Sequence, residues 1–251
     1  MGELLWRVAV IDSGVDPQAG VPVREARRFE DRDGQILAGA AQADGAGHGT
    51  TITRIIASAG RPVDLLIGQV LDRHGRCTAA AVAAAVEWAL AGGAQLLHLS
   101  LGLRADRPVL AAAIARAVRS GTLVVCASPA RGAPVFPAAY PGVLRATGDA
   151  RCGRDEIAAL GTRAADFGAC VTAGLPGSSM ARGASIGAAQ VSRHIVSHVE
   201  PGSSAATVRT ILAARAVYRG SERHGGREAD DAGRAVPAQH RAPPATSRSG
   251  R

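Results

Sequence analysis

Three residue types along this chain can cooperate in nucleophilic catalysis. Val8-Ala9-Val10-Ile11-Asp12-Ser13-Gly14-Val15 sets a carboxylate where an apolar run opens into a tight turn. Asp44-Gly45-Ala46-Gly47-His48-Gly49-Thr50 sets an imidazole between two glycines, ahead of a helical stretch over 51–58. Glycine on both sides lets other backbone approach the histidine closely. Toward the C-terminal end two serines compete: Ser179 in Gly177-Ser178-Ser179-Met180-Ala181, and Ser185 in Gly183-Ala184-Ser185-Ile186-Gly187-Ala188-Ala189-Gln190-Val191. A serine hydroxyl is a weak nucleophile until an adjacent imidazole takes its proton. That imidazole in turn needs a carboxylate to fix its tautomer and stabilise its charged form. Taken singly, the motifs have plainer readings, a structural Asp-Ser-Gly turn and a capping or surface histidine.

The elements that must position these groups are legible as alternating patterns. Short apolar runs at 6–11, 63–70, 95–100, 122–128 and 143–147 alternate with Ala-rich stretches of helical length at 78–91, 108–119, 185–199 and 203–218. Strands alternating with helices imply an α/β domain with a mostly parallel sheet covered on both faces. In such sheets sites gather beyond the carboxyl ends of the strands. Asp12 lies one residue past the first run, and Ser100 ends another.

Together, Asp-Ser-Gly after the first strand and the later His-Gly-Thr resemble the first two triad blocks of the subtilisin-like serine proteases. The resemblance is strongest from Val70-Leu71-Asp72-Arg73-His74-Gly75-Arg76-Cys77 through Val86-Glu87-Trp88-Ala89 to His98-Leu99-Ser100-Leu101-Gly102, and runs over about residues 6–200. It implies a three-layer sandwich, a serine endopeptidase, and the catalytic set Asp12, His48 and a C-terminal serine. It also implies that Gly75, Arg76 and Cys77 on one side, and Ser100, Leu101 and Gly102 on the other, hold an extended peptide as an added strand. Gly177-Ser178-Ser179-Met180-Ala181 looks closest to the family's serine motif. Starting a buried helix at Ser179, however, places Gly183 and Gly187 in its first turns at about 1 kcal/mol each, so Ser185 is the expected nucleophile and Ser179 the alternative.

One element departs from the family. After 122–127 the family carries Gly-Asn, whose amide donates to the oxyanion; here Ser128-Pro129-Ala130-Arg131-Gly132 puts Ala130 at the Asn position. Losing such a donor costs about 100- to 1000-fold in turnover. Ser128 or Arg131 must replace it, or the enzyme is slow, or the chain is a pseudoprotease that binds peptides without cleaving them.

Composition narrows the remaining classes. The 251 residues carry a formal charge of +8 with every basic residue an arginine, but only 3% are aromatic. Without a basic stripe interleaved with aromatics, nucleic-acid binding is not expected. No stretch reaches the length of a membrane span, and the N-terminal apolar run is too short for a signal peptide. Cys77, Cys126, Cys152 and Cys170 lack metal or redox spacing and are expected as free thiols. Asp31 and Asp33 fall in a solvated turn without the other ligands of a calcium loop, so no cofactor is implied. A cytoplasmic peptidase domain over 1–219, acting on a peptide or protein substrate, is expected, followed by a disordered tail over 220–251. With no leader ahead of the first strand, small subtilisin-like proteins of this kind resemble the protease that matures the small subunit of quinohemoprotein amine dehydrogenase by removing its leader peptide.

Overall fold

Strands buried on both faces read as continuous apolar runs, and the expected ones pair side by side. In a computed structural model that describes residues 5–133, 135–175 and 183–221, ten strands form one sheet. They are β1 (Trp6–Asp12), β2 (Val23–Arg32), β3 (Gln35–Ala40), β4 (Val63–Gln69), β5 (Leu96–Leu99), β6 (Leu123–Ala127), β7 (Leu144–Gly148), β8 (Ile157–Ala159), β9 (Phe167–Ala169) and β10 (Tyr218–Arg219). Their order is β10-β8-β9-β7-β6-β5-β1-β4-β2-β3. Only the β2–β3 and β8–β9 pairs are antiparallel. The helices are α1 (His48–Ala57), α2 (Ala79–Ala91), α3 (Pro108–Arg119), α4 (Ala184–His198) and α5 (Ala205–Arg215).

The side-chain period of two divides the core into two layers. Val8, Val10, Leu65, Ile67 and Val125 point to the face covered by α1, α4 and α5, whereas Ala9, Ile11, Leu66, Val124 and Cys126 point to the face covered by α2 and α3. With few aromatics, the layers close through small residues. A Cβ at Gly187 of α4 would lie 2.3 Å from the Thr147 carbonyl oxygen, so glycine is what lets this helix rest on β7.

The expected three-layer α/β architecture is present, and the five apolar runs became β1, β4, β5, β6 and β7. Three segments were not anticipated as strands: the β2–β3 hairpin, the short β8 and β9, and β10, which falls where the last helix was expected to continue. The expected tail from residue 222 on, and Ser179, lie outside the described residues. Among the described residues no helix is long and apolar enough to cross a membrane, and no cluster of three metal-ligating side chains occurs.

Candidate active site

Parallel strands with this order bring four carboxyl ends into a row. β6 leads into Ser128–Arg131, β5 into Ser100-Leu101-Gly102, β1 ends on Asp12, and β4 leads toward Gly75-Arg76-Cys77. The carboxylate thus sits between the two segments expected to grip a peptide.

Asp12 is fully buried. Its Oδ1 accepts from the Ser13 amide at 2.7 Å and from Nδ1 of His48 at 2.7 Å, while its Oδ2 is buried without a partner among the described residues. Because an ionised carboxylate only accepts, the proton of neutral His48 is held on Nδ1, and Nε2 is left free to take a proton. The Asp12 hydrogen bond is also the main reason the His48 pKa lies above its ordinary 6.5; burial opposes the shift, and the charges of Asp12 and Asp44 add to it.

Two features aim the imidazole. His48 is the first residue of α1, whose N-cap Gly47 has no side chain to cap with. Asp44 takes over that role, accepting from the amides of Gly47 at 2.9 Å and Thr50 at 2.8 Å and from the Ser13 hydroxyl at 2.8 Å. Burial works against its charge, yet the hydrogen bonds from Thr50, Ser13 and Gly47 outweigh it and hold the carboxyl below the usual range. Ser13 closes the link by accepting from the Gly49 amide at 2.9 Å. The second feature is absence of bulk: a Cβ on Gly49 would stand 2.2 Å from the Gly14 carbonyl oxygen and 3.2 Å from the Asp12 Cβ. Gly49→Ala must therefore push α1 off the β1 turn. We expect kcat/KM to fall about 100-fold, the usual consequence of misplacing a reacting group by about 1 Å; steady-state kinetics beside a thermal melt reads it, and unchanged kinetics would show that α1 tolerates the shift.

The two segments expected to bind a peptide differ in how they are held. The Asp72 carboxylate accepts from the amides of His74 and Arg76 and pairs with the Arg76 guanidinium at 3.0 Å; Gly75 turns with φ +70. These bonds, led by the Arg76 amide, bring the exposed Asp72 carboxyl down to about 2. Burial, then the charges of Asp72 and Asp12, push the Cys77 thiol up to about 11, which leaves it protonated at neutral pH. On the other side Ser100 is pinned from below by His98, a residue the sequence reading passed over. His98 is fully buried, with Nε2 2.5 Å from the Ser100 hydroxyl and Nδ1 2.9 Å from that of Ser192 on α4. Burial, with a smaller push from the charge of His48, lowers it to about 3, so it stays neutral.

The serines are less simply placed. Ser185 is the second residue of α4, as expected of a nucleophile at a helix start, but its hydroxyl donates to the Ser100 carbonyl at 3.4 Å. Among the described residues no hydroxyl is bonded to His48 Nε2. In the loop after β6, the Ser128 hydroxyl is committed to the Ala164 carbonyl at 2.7 Å, while Ala130 and Arg131 are exposed.

A buried carboxylate orienting a histidine, at the carboxyl ends of a doubly covered parallel sheet, is the arrangement of the subtilisin-like class. The pattern of the subtilase family matches residues 6–228, and the chain belongs to that family. Over 149 residues, 55% of this chain, it is 32% identical to the alkaline elastase YaB of a Bacillus species and 30% identical to a thermostable alkaline protease of Halalkalibacterium halodurans. Over the same share it is 29% identical to subtilisin BL of Lederbergia lenta. The matched stretch spans 38%, 40% and 53% of those relatives' own lengths. The crystal structure of a cold-adapted subtilisin-like serine proteinase superposes with a TM-score of 0.61 at 19% identity, covering 83% of this chain and 81% of the other, a likeness of fold.

Proposed function

We propose that this chain is a serine endopeptidase in which Asp12 and His48 activate a serine to cleave an extended peptide held between Gly75-Arg76-Cys77 and Ser100-Leu101-Gly102. The observation that carries it is the 2.7 Å contact from buried Asp12 to His48 Nδ1, which leaves Nε2 as the base. The nucleophile we propose is Ser179 in place of Ser185. The preference for Ser185 rested on the cost of two glycines in a helix begun at Ser179. The helix instead begins at Ala184, with Gly183 outside it as an N-cap at φ +115. Gly187, the other glycine counted as a cost, is required by the contact with β7. With those objections gone, the Gly177-Ser178-Ser179-Met180-Ala181 motif carries the choice.

The finer role we propose is a dedicated processing step inside the cell, leader-peptide removal of the kind that matures the quinohemoprotein amine dehydrogenase small subunit. Its support is the sequence resemblance together with four free cysteines, which suit a reducing compartment. Incubation with peptides encoded near the gene tests it: cleavage at one site after a leader is expected, and broad digestion of unfolded protein would contradict it.

Ala130 favours a second reading, a peptide-binding pseudoprotease. Because the Ser128 hydroxyl is already engaged, Arg131 is the remaining side chain of that loop able to replace the missing amide. If nothing does, Ala130→Asn raises kcat by about 10-fold and leaves KM nearly unchanged, since the new bond forms mainly in the transition state. If Arg131 serves, Ala130→Asn is neutral and Arg131→Ala slows turnover. Steady-state kinetics on the two variants separates an impaired from a compensated oxyanion site, and no turnover in any of them supports the pseudoprotease.

A further inference from the structure

Behind the loop that follows β6 lies a cavity of about 470 Å³ whose lining includes Ser128, Pro129, Val135, Ala164, Arg145 and Arg163. Its place follows from its walls. Ser128 and Pro129 open the loop expected to face the reacting carbonyl, and Val135 packs against Gly102, where an added Cβ would stand 3.3 Å away. A peptide laid along Ser100-Leu101-Gly102 with its scissile carbonyl at that loop therefore turns the side chain just N-terminal to the cleaved bond toward this cavity.

The charge of the cavity is one-sided. Among the described residues two arginines line it and no acidic residue does. Arg145 pairs with Asp166 at 2.5 Å, but Asp166 is shared with Arg209 at 2.9 Å. Arg163 is exposed, makes no ion pair among the described residues, and has its carbonyl fixed by Arg145 at 2.6 Å. Arg145 and Arg209 thus share one carboxylate, and Arg163 adds an uncompensated positive charge to the lining. The excess positive charge suits a carboxylate, which guanidinium binds with paired, charge-assisted hydrogen bonds. Pro129, Val135, Ala138 and Ala139 supply the apolar wall that the methylenes of such a side chain need.

We propose that this cavity selects an acidic residue, Glu or Asp, immediately before the scissile bond, with Arg163 as the specificity-determining residue. The proposal rests on the endopeptidase reading above for the direction of the peptide. Fluorogenic peptides with amidated C-termini, differing only in Glu, Gln, Leu or Lys at that position, test it. Cleavage of the Glu peptide is expected to exceed that of the Gln peptide by about 10-fold or more in kcat/KM, with the ratio shrinking as ionic strength rises. Arg163→Gln brings the ratio toward parity, and Arg163→Glu places the Lys peptide above the Glu peptide. An equal or better Gln or Leu peptide, or a ratio untouched by Arg163→Gln, overturns the proposal while leaving the peptidase intact. If no peptide is cleaved and no activated serine reacts with a fluorophosphonate, the peptidase reading fails instead. The same amidated peptides then report on the cavity by fluorescence anisotropy, where tighter binding of Glu that depends on Arg163 sustains the proposal and equal affinities overturn it.

Discussion

Asp12→Asn lowers kcat by about 10⁴-fold while the protein folds as before. An amide at this position can present its NH₂ to Nδ1, and the imidazole then carries its proton on the nitrogen that must accept one. The same substitution removes the interaction that raises the His48 pKa. The base works when neutral, so activity in the parent rises with pH through a midpoint above 6.5. Without the Asp12 charge that acid limb moves to lower pH. A pH profile of kcat/KM on both proteins shows the two effects together. A limb that stays in place, or a loss of only a few-fold, would mean that Asp12 is a structural turn residue.

The second large effect separates the two serines. Ser179→Ala abolishes turnover, a loss on the order of 10⁶-fold, whereas Ser185→Ala keeps most of it, because the Ser185 hydroxyl serves the Ser100 carbonyl. Removing that 3.4 Å contact loosens one end of the segment proposed to bind the peptide, and its effect belongs mainly in KM. The opposite pattern, a dead Ser185→Ala beside an active Ser179→Ala, would return the role to the start of α4. Kinetics with a peptide substrate decides between them.

How far the sequence could be read follows from where each signal resides. The central strands β1 and β4 to β7 were legible because burial on both faces leaves an unbroken apolar run. The hairpin was hidden because β2 is rich in Arg and Glu and lies near an edge. Its signal was nevertheless present, since Asp33 and Gly34 both have positive φ, the conformation that Asp-Gly favours in a two-residue hairpin turn. β8 and β9, three residues each, are too short to show a period.

At the site, Asp12 and His48 stood out through the turn and the flanking glycines. The groups that support the site did not, because Asp44 and Ser13, which aim the pair, and His98, which holds Ser100, act through contacts between distant segments. His98 meets Ser192 across 94 residues of sequence, and no local pattern encodes that. The preference for Ser185 meets the same limit, although the nucleophile itself is untested. Helix propensity penalised two glycines that turn out to serve as an N-cap and as a close-packing contact.

One experiment bears most directly on the claim that Asp12 and His48 activate a serine here. The protein is labelled with a fluorophosphonate, digested, and the adduct located by mass spectrometry, with His48→Ala and Asp12→Asn run in parallel. The account predicts fast, stoichiometric labelling at Ser179 in the parent and loss of it in both variants. An adduct-free parent, or labelling indifferent to His48, would contradict it.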